Sequence, residues 1–304
     1  MIDSKTDYDK RRAVQDAMVR QSSKRRITDR IFTGATIACI ALAMVPLGSI
    51  LVEVVRNGAS AISIEFLTQP QGSIVKGGGG VAPAIQGTLL VVGYASLIGV
   101  PVGILTGIYL SEYGGNGRFA NSVRFFNNVM TGMPSIVIGI VGYVIIVLTI
   151  GFSITAGAAA LSIIMIPIVV GVTEETLKLV PNSIREAGHS LGIPKWRVTM
   201  SITLRSAMNG VLTGVVLAIS RIAGETAPLI MTILGTSLFF TDFLSPVDAL
   251  PLRILSFAAQ PYEHAESSGW GAALILILMV LALSVALRLL VLQRRSSLRV
   301  PAKL

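Results

Sequence analysis

Apolar runs without a charged residue lie at 31–52, 81–111, 125–173, 206–220 and 269–287. A helix needs about 20 apolar residues to cross the hydrocarbon core of a bilayer. The third stretch is long enough for two such helices. The fourth reaches that length only by running on through Arg221 and Glu225 to residue 234. The pattern predicts an all-α membrane protein with six transmembrane helices, at 31–53, 84–110, 126–150, 153–173, 207–235 and 270–292. The first span is too long for a signal peptide, whose apolar region has about 7–15 residues, and it is expected to be retained.

Composition supports the class. The 304 residues are 52% hydrophobic and 13% charged, against about 25% charged in a soluble domain. A net charge of +9 invites a nucleic-acid reading, and its distribution excludes one. With the N-terminus inside, 20 of the 25 basic residues fall on cytoplasmic segments. Arg56, Lys76 and Arg253 fall on outer loops, and Arg221 and Arg288 within spans. This asymmetry predicts both termini in the cytoplasm of a multi-pass membrane protein. The expected layout is a cytoplasmic tail (1–30), a membrane domain (31–292) with an inner loop at 174–205, and a second cytoplasmic tail (293–304). Cys39 is the only cysteine, so no internal disulfide or cysteine metal site is available.

The connecting segments differ in information. Lys76–Gly80 reads KGGGG, yet no Gly-Lys dipeptide occurs in the chain, so it is read as a flexible connector rather than a Walker phosphate loop. Gly99, Gly103 and Gly107 form a stripe that predicts close helix packing in the second span. Thr131-Gly132-Met133-Pro134-Ser135 disrupts the third span, either to line a pathway or to pack a kink. In the inner loop, Ser183 and Glu186 have capping-box spacing. Ile184, Ala187 and Leu191 share one face, and Gly192 and Pro194 follow as stop signals. The result is a short helix that must dock to be stable, on its own membrane domain or on a separate cytoplasmic partner.

The fifth span holds the chemistry. Charge at a helix centre costs about 2.5–3.5 kcal/mol on insertion scales, so it faces protein or a watery path. At 100° per residue, Gly210, Gly214, Ala218, Arg221, Glu225, Pro228 and Thr232 share one face, which is expected to meet other helices. Arg221 and Glu225, at i and i+4, have two readings: a self-neutralising pair, or a site. The neighbouring Gly-Glu-Thr-Ala-Pro break favours a site, with Thr226 beside it. Two histidines and one cysteine leave few groups for a membrane enzyme.

Glu186-Ala187-Gly188, then Gly192, then Ile202-Thr203-Leu204 resemble the EAA signature of binding-protein-dependent ABC transporter permeases, with Gly188 for the second Ala and Arg205 for the final Pro. More of the chain is similar to the A-type permease of the phosphate-specific import system. The matching segments are Gly132–Val137, Leu191–Trp196, Arg221–Leu229, and Glu263–Ala265 with Trp270–Leu274. The resemblance implies a type I importer permease fold whose cytoplasmic coupling helix engages an ATPase through Ile184, Glu186, Ala187, Leu191 and Gly192. It implies a second permease subunit, an ATPase dimer that binds ATP and Mg²⁺, and an extracytoplasmic phosphate-binding protein. This chain is then a non-catalytic subunit without a cofactor, in contact with membrane lipid and phosphate. Arg221 and Glu225 match residues implicated in transport. The alternatives are an importer of sulfate, molybdate or another oxyanion, and an ion-coupled carrier.

Overall fold

The computed structural model describes the backbone over residues 4–72 and 78–296 and side chains over 28–72 and 78–289. The chain divides into two compact units after Arg56. The first is helical, formed by most of α1 (Ser4–Ala61), and Ile31, Leu42 and Val45 on it are exposed. Helical backbone therefore extends through the described part of the expected polar tail.

The second unit holds the remaining elements. They are α2 (Ile64–Thr68), α3 (Ala82–Tyr113, ending in a π-turn), α4 (Arg118–Gly132), α5 (Ser135–Ile150), α6 (Ile154–Lys178), α7 (Asn182–Ser190), α8 (Lys195–Ala223), α9 (Ala227–Thr232), α10 (Leu250–Ala258) and α11 (Glu263–Ser296). Among the described residues, five helices are long and apolar enough to cross a membrane, and six if the bent pair α4–α5 counts as one span. No strand occurs among the described residues.

Helix α6 is the centre of this unit. Ser153 caps it by accepting a hydrogen bond from the Ala156 amide at 3.3 Å. Leu161, Met165 and Val169 on it are buried. Two neighbours lie against it on glycines. On α3, a Cβ at Gly103 would come within 2.6 Å of Val169 Cβ, and one at Gly107 within 2.6 Å of Thr173 Cβ. The predicted glycine stripe thus meets α6 residues at the same spacing of four. On α8, Gly210 faces Thr176 and Gly214 faces Val172. With no side chain on one partner, the backbones approach and dispersion contacts replace the missing hydrophobic drive inside lipid.

Three boundaries depart from expectation. The third span is not one helix: it breaks at Met133–Pro134, and α4 and α5 meet at a bend of 103°. Pro134 lacks an amide hydrogen and disfavours helix in the residue before it. The fifth span does not run over 207–235. It begins at Lys195, ends at Ala223 and resumes as the short α9. The sixth helix starts at Glu263, and the expected outer loop contains α10. Of the KGGGG segment, Lys76 and Gly77 lie outside the described residues.

Candidate functional site

The interruption between α8 and α9 is where the two intramembrane charges sit. Gly224 ends α8, its amide donating to the Arg221 carbonyl at 3.2 Å. Glu225 and Thr226 are non-helical, and α9 starts with Pro228 in its first turn, where a missing amide hydrogen costs nothing. Arg221 Nε lies 3.7 Å from Glu225 Oε1, beyond hydrogen-bond range. The Arg221 side chain is 61% exposed and that of Glu225 16%. Thr226 is half-buried, and its hydroxyl does not cap α9.

This arrangement corrects the expected single face. Gly210, Gly214 and Ala218 are covered within the chain, whereas Arg221 projects from it. Beyond the break, Pro228 and Thr232 belong to α9 and pack on Gly139 and Gly142 of α5. The two interrupted segments, 131–135 and 224–226, are thereby joined through the helices that follow them. Next to Arg221, the hydroxyls of Ser220 and Ser284 lie 2.9 Å apart and tie α8 to α11. The arginine thus has a fixed base, and its exposed guanidinium stands within ion-pair distance of Glu225 without a hydrogen bond to it.

The inner loop forms α7 as predicted, with different capping. The helix begins at Asn182 after Pro181, without a side-chain cap, so the Ser183–Glu186 box is not made. Its C-terminus follows the expected stop signal. Gly192 adopts φ +71°, its amide donates to the His189 carbonyl at 2.9 Å, and that of Ile193 to Gly188 at 3.4 Å, a Schellman closure. Gly188 is buried against Val198 and Ile202, where a Cβ would come within 3.0 Å of Val198. Ile184, Glu186, Ala187, Leu191 and Gly192 are exposed, as are Leu179 and Trp196. The expected apolar face therefore does not pack on its own membrane domain.

What holds α7 was missed by sequence reasoning. Arg185 donates to Glu112 at the end of α3 (Nη2–Oε1 2.8 Å) and to the carbonyls of Val180 (2.6 Å) and Leu177 (2.8 Å). A second latch joins Arg124 of α4 to Glu174 of α6 (2.8 Å) and to the Leu110 carbonyl (2.8 Å). Partners 73 and 50 positions apart leave no local signal. On the opposite end, Arg253 of α10 pairs with Asp248 and Gln71, with both ionic side chains buried. Burial pushes the Asp248 carboxyl up from its ordinary value, and Arg253 offsets part of this. A basic residue on a loop where the orientation rule disfavours one was the available hint.

Residues 99–296 match the family described as binding-protein-dependent transport system inner membrane component. A phosphate transport system permease protein PstA of Yersinia pestis is 40% identical over 267 residues, covering 88% of this chain and 90% of the relative. The chain belongs to that family. Other relatives of this inner-membrane component carry related names. A phosphate transport system permease protein PstA of Pasteurella multocida is 44% identical over 79% of this chain and 86% of its own length. A probable one of Methanocaldococcus jannaschii is 34% identical over 89% and 96%. Among solved structures, the inward-facing MetNI methionine ABC transporter aligns with a TM-score of 0.55 at 16% identity, over 69% of this chain and 92% of that one. An amino acid ABC transporter aligns at 0.50 and 19% identity, over 70% and 94%. These likenesses place the permease fold of type I ABC importers on the chain. As a family member it is a multi-pass plasma-membrane protein.

Proposed function

We propose that the chain is the membrane permease subunit of an ATP-driven importer of inorganic phosphate. The observation that carries this is near full-length likeness to relatives bearing that name, at 34–44% identity. The site supports it. An exposed guanidinium held at a helix break offers paired donors that match phosphate oxygens. In this reading Arg221 meets the anion, while Glu225 lies near enough to orient the guanidinium and limit trapping. Thr226 lines the same break.

ATP and Mg²⁺ belong to a separate ATPase dimer. The exposed Ile184, Glu186 and Ala187 on α7, with Leu191 and Gly192 at its C-terminal closure, form the surface that enters the ATPase. A second permease subunit completes the path, and an extracytoplasmic phosphate-binding protein delivers the substrate. Arg185 and Glu112 clamp α7 to α3, and the chain leads from α7 directly into α8. A push on α7 is thus passed towards Arg221 by packed elements rather than by a flexible loop.

The test is phosphate uptake by Arg221→Gln and Arg221→Lys in a complex shown to be assembled. Gln is expected to abolish uptake, and Lys to retain a fraction because it keeps the charge without the planar fork. Wild-type uptake by Arg221→Gln refutes the role. Competition by sulfate and molybdate separates phosphate from the other oxyanions, and uptake without ATP would indicate an ion-coupled carrier.

A further inference from the structure

We infer that Asn209 and Thr213 line the cytoplasmic half of the route served by Arg221, an inference that rests on the permease reading above. Two other spans of the second unit, α3 and α11, expose apolar side chains suited to lipid. On α3 these include Leu97, Val102 and Leu105, and on α11 Leu278, Leu281 and Val285. Helix α8 is different. Although it exposes Trp196, Met200 and Met208 elsewhere, one side of it presents Ser206, Asn209, Thr213, Leu217 and Arg221. These positions fall within a sector of about 120° at 100° per residue.

The chemistry of the two residues separates them from tolerated surface polarity. Thr213 bonds its hydroxyl to the Asn209 carbonyl at 2.8 Å, which still leaves oxygen lone pairs for water or an anion's partner water. The Asn209 carboxamide makes no hydrogen bond among the described residues. An amide against hydrocarbon loses its water without replacement. Its membrane-depth surroundings must therefore be water or another protein. A water-filled route accounts for the placement: with the loop before α8 expected in the cytoplasm, Thr213 lies about 12 Å and Asn209 about 18 Å below Arg221 at 1.5 Å per residue. Together they span the inner half of a core about 30 Å thick, on the side of α8 that α6 leaves open. Leu217 lies between them and Arg221, an apolar constriction in an otherwise polar lane.

Thiol accessibility tests this directly, because replacing Cys39 by Ser removes the only native cysteine. Single substitutions Asn209→Cys, Thr213→Cys, Arg221→Cys and Leu97→Cys are made in the assembled complex. Inside-out vesicles are then treated with a charged, membrane-impermeant methanethiosulfonate. Only a hydrated thiolate reacts, so positions 209 and 213 are expected to label about tenfold or more faster than 97. If 209 and 213 label as slowly as 97 while 221 reacts, the inference is overturned and the Arg221 reading stands. If 221 is also inert, both fall. Where a cysteine variant does not assemble, uptake by Thr213→Val and Thr213→Ser is compared. A several-fold loss with Val alone supports the inference, and equal uptake by both overturns it.

Discussion

Arg185→Met removes the clamp that holds α7 to the rest of the permease. The pair it breaks is not a surface ion pair: the side chains of Arg185 and Glu112 are 17% and 6% exposed. Exposed pairs contribute about 0–1 kcal/mol, whereas removing one partner of a buried pair costs about 3–5 kcal/mol, since the remaining charge is stranded. Here the stranded group is Glu112. The carbonyls of Leu177 and Val180, at the end of α6, lose their donors as well. At roughly 2 °C per kcal/mol for a large domain, the melting temperature should fall by about 6–10 °C. Glu112→Gln should cost less, because the amide still accepts from the guanidinium. The double variant Arg185→Met, Glu112→Leu should recover much of the loss. The assay is melting of the purified complex followed by size exclusion, with ATP-driven uptake as a second readout. The reasoning is refuted if Arg185→Met melts within about 2 °C of wild type and the double variant is no better than the single.

Four further outcomes follow from the geometry. Gly103→Ala should destabilise by about 1–3 kcal/mol through overpacking on Val169. Gly93→Ala on the same helix faces open space and should stabilise by about 0.5–1 kcal/mol, so thermal melting should show opposite signs. Gly192→Ala forces an L-residue to φ +71° at a cost of about 1–2 kcal/mol; limited proteolysis should show faster cleavage after α7. Arg253→Met strands the buried Asp248 and should lower the melting temperature by an amount equivalent to about 3–5 kcal/mol, with Asp248→Asn restoring part of it.

Much of this protein was written in local patterns. The charge-free stretches, the basic residues on one side, the glycine stripe of α3 and the stop signal at Gly192 each depend on neighbours within a few positions. The charge-free stretches, the glycine stripe and the stop signal appear in the structure at or near the expected place. The break at Gly224–Thr226 was visible as Gly-Glu-Thr-Ala-Pro, but its consequence was not. A helical wheel assumes one rigid rotation of 100° per residue, and that rotation stops at Ala223. Residues beyond it were therefore assigned to the wrong face, and Pro228 and Thr232 pack on α5 instead.

The amino-acid sequence by itself determined that the chain crosses a membrane several times, and that Arg221 and Glu225 are costly charges in need of a purpose. Both follow from solvation, which depends on composition over a window of residues. The tertiary structure alone decided that Arg221 projects from the chain while the glycines beside it are covered. It also decided that Arg185 finds Glu112, Arg124 finds Glu174 and Arg253 finds Asp248. Those outcomes depend on how helices distant in sequence cross and mesh. A carboxylate is committed to a guanidinium only when packing has already brought both out of water.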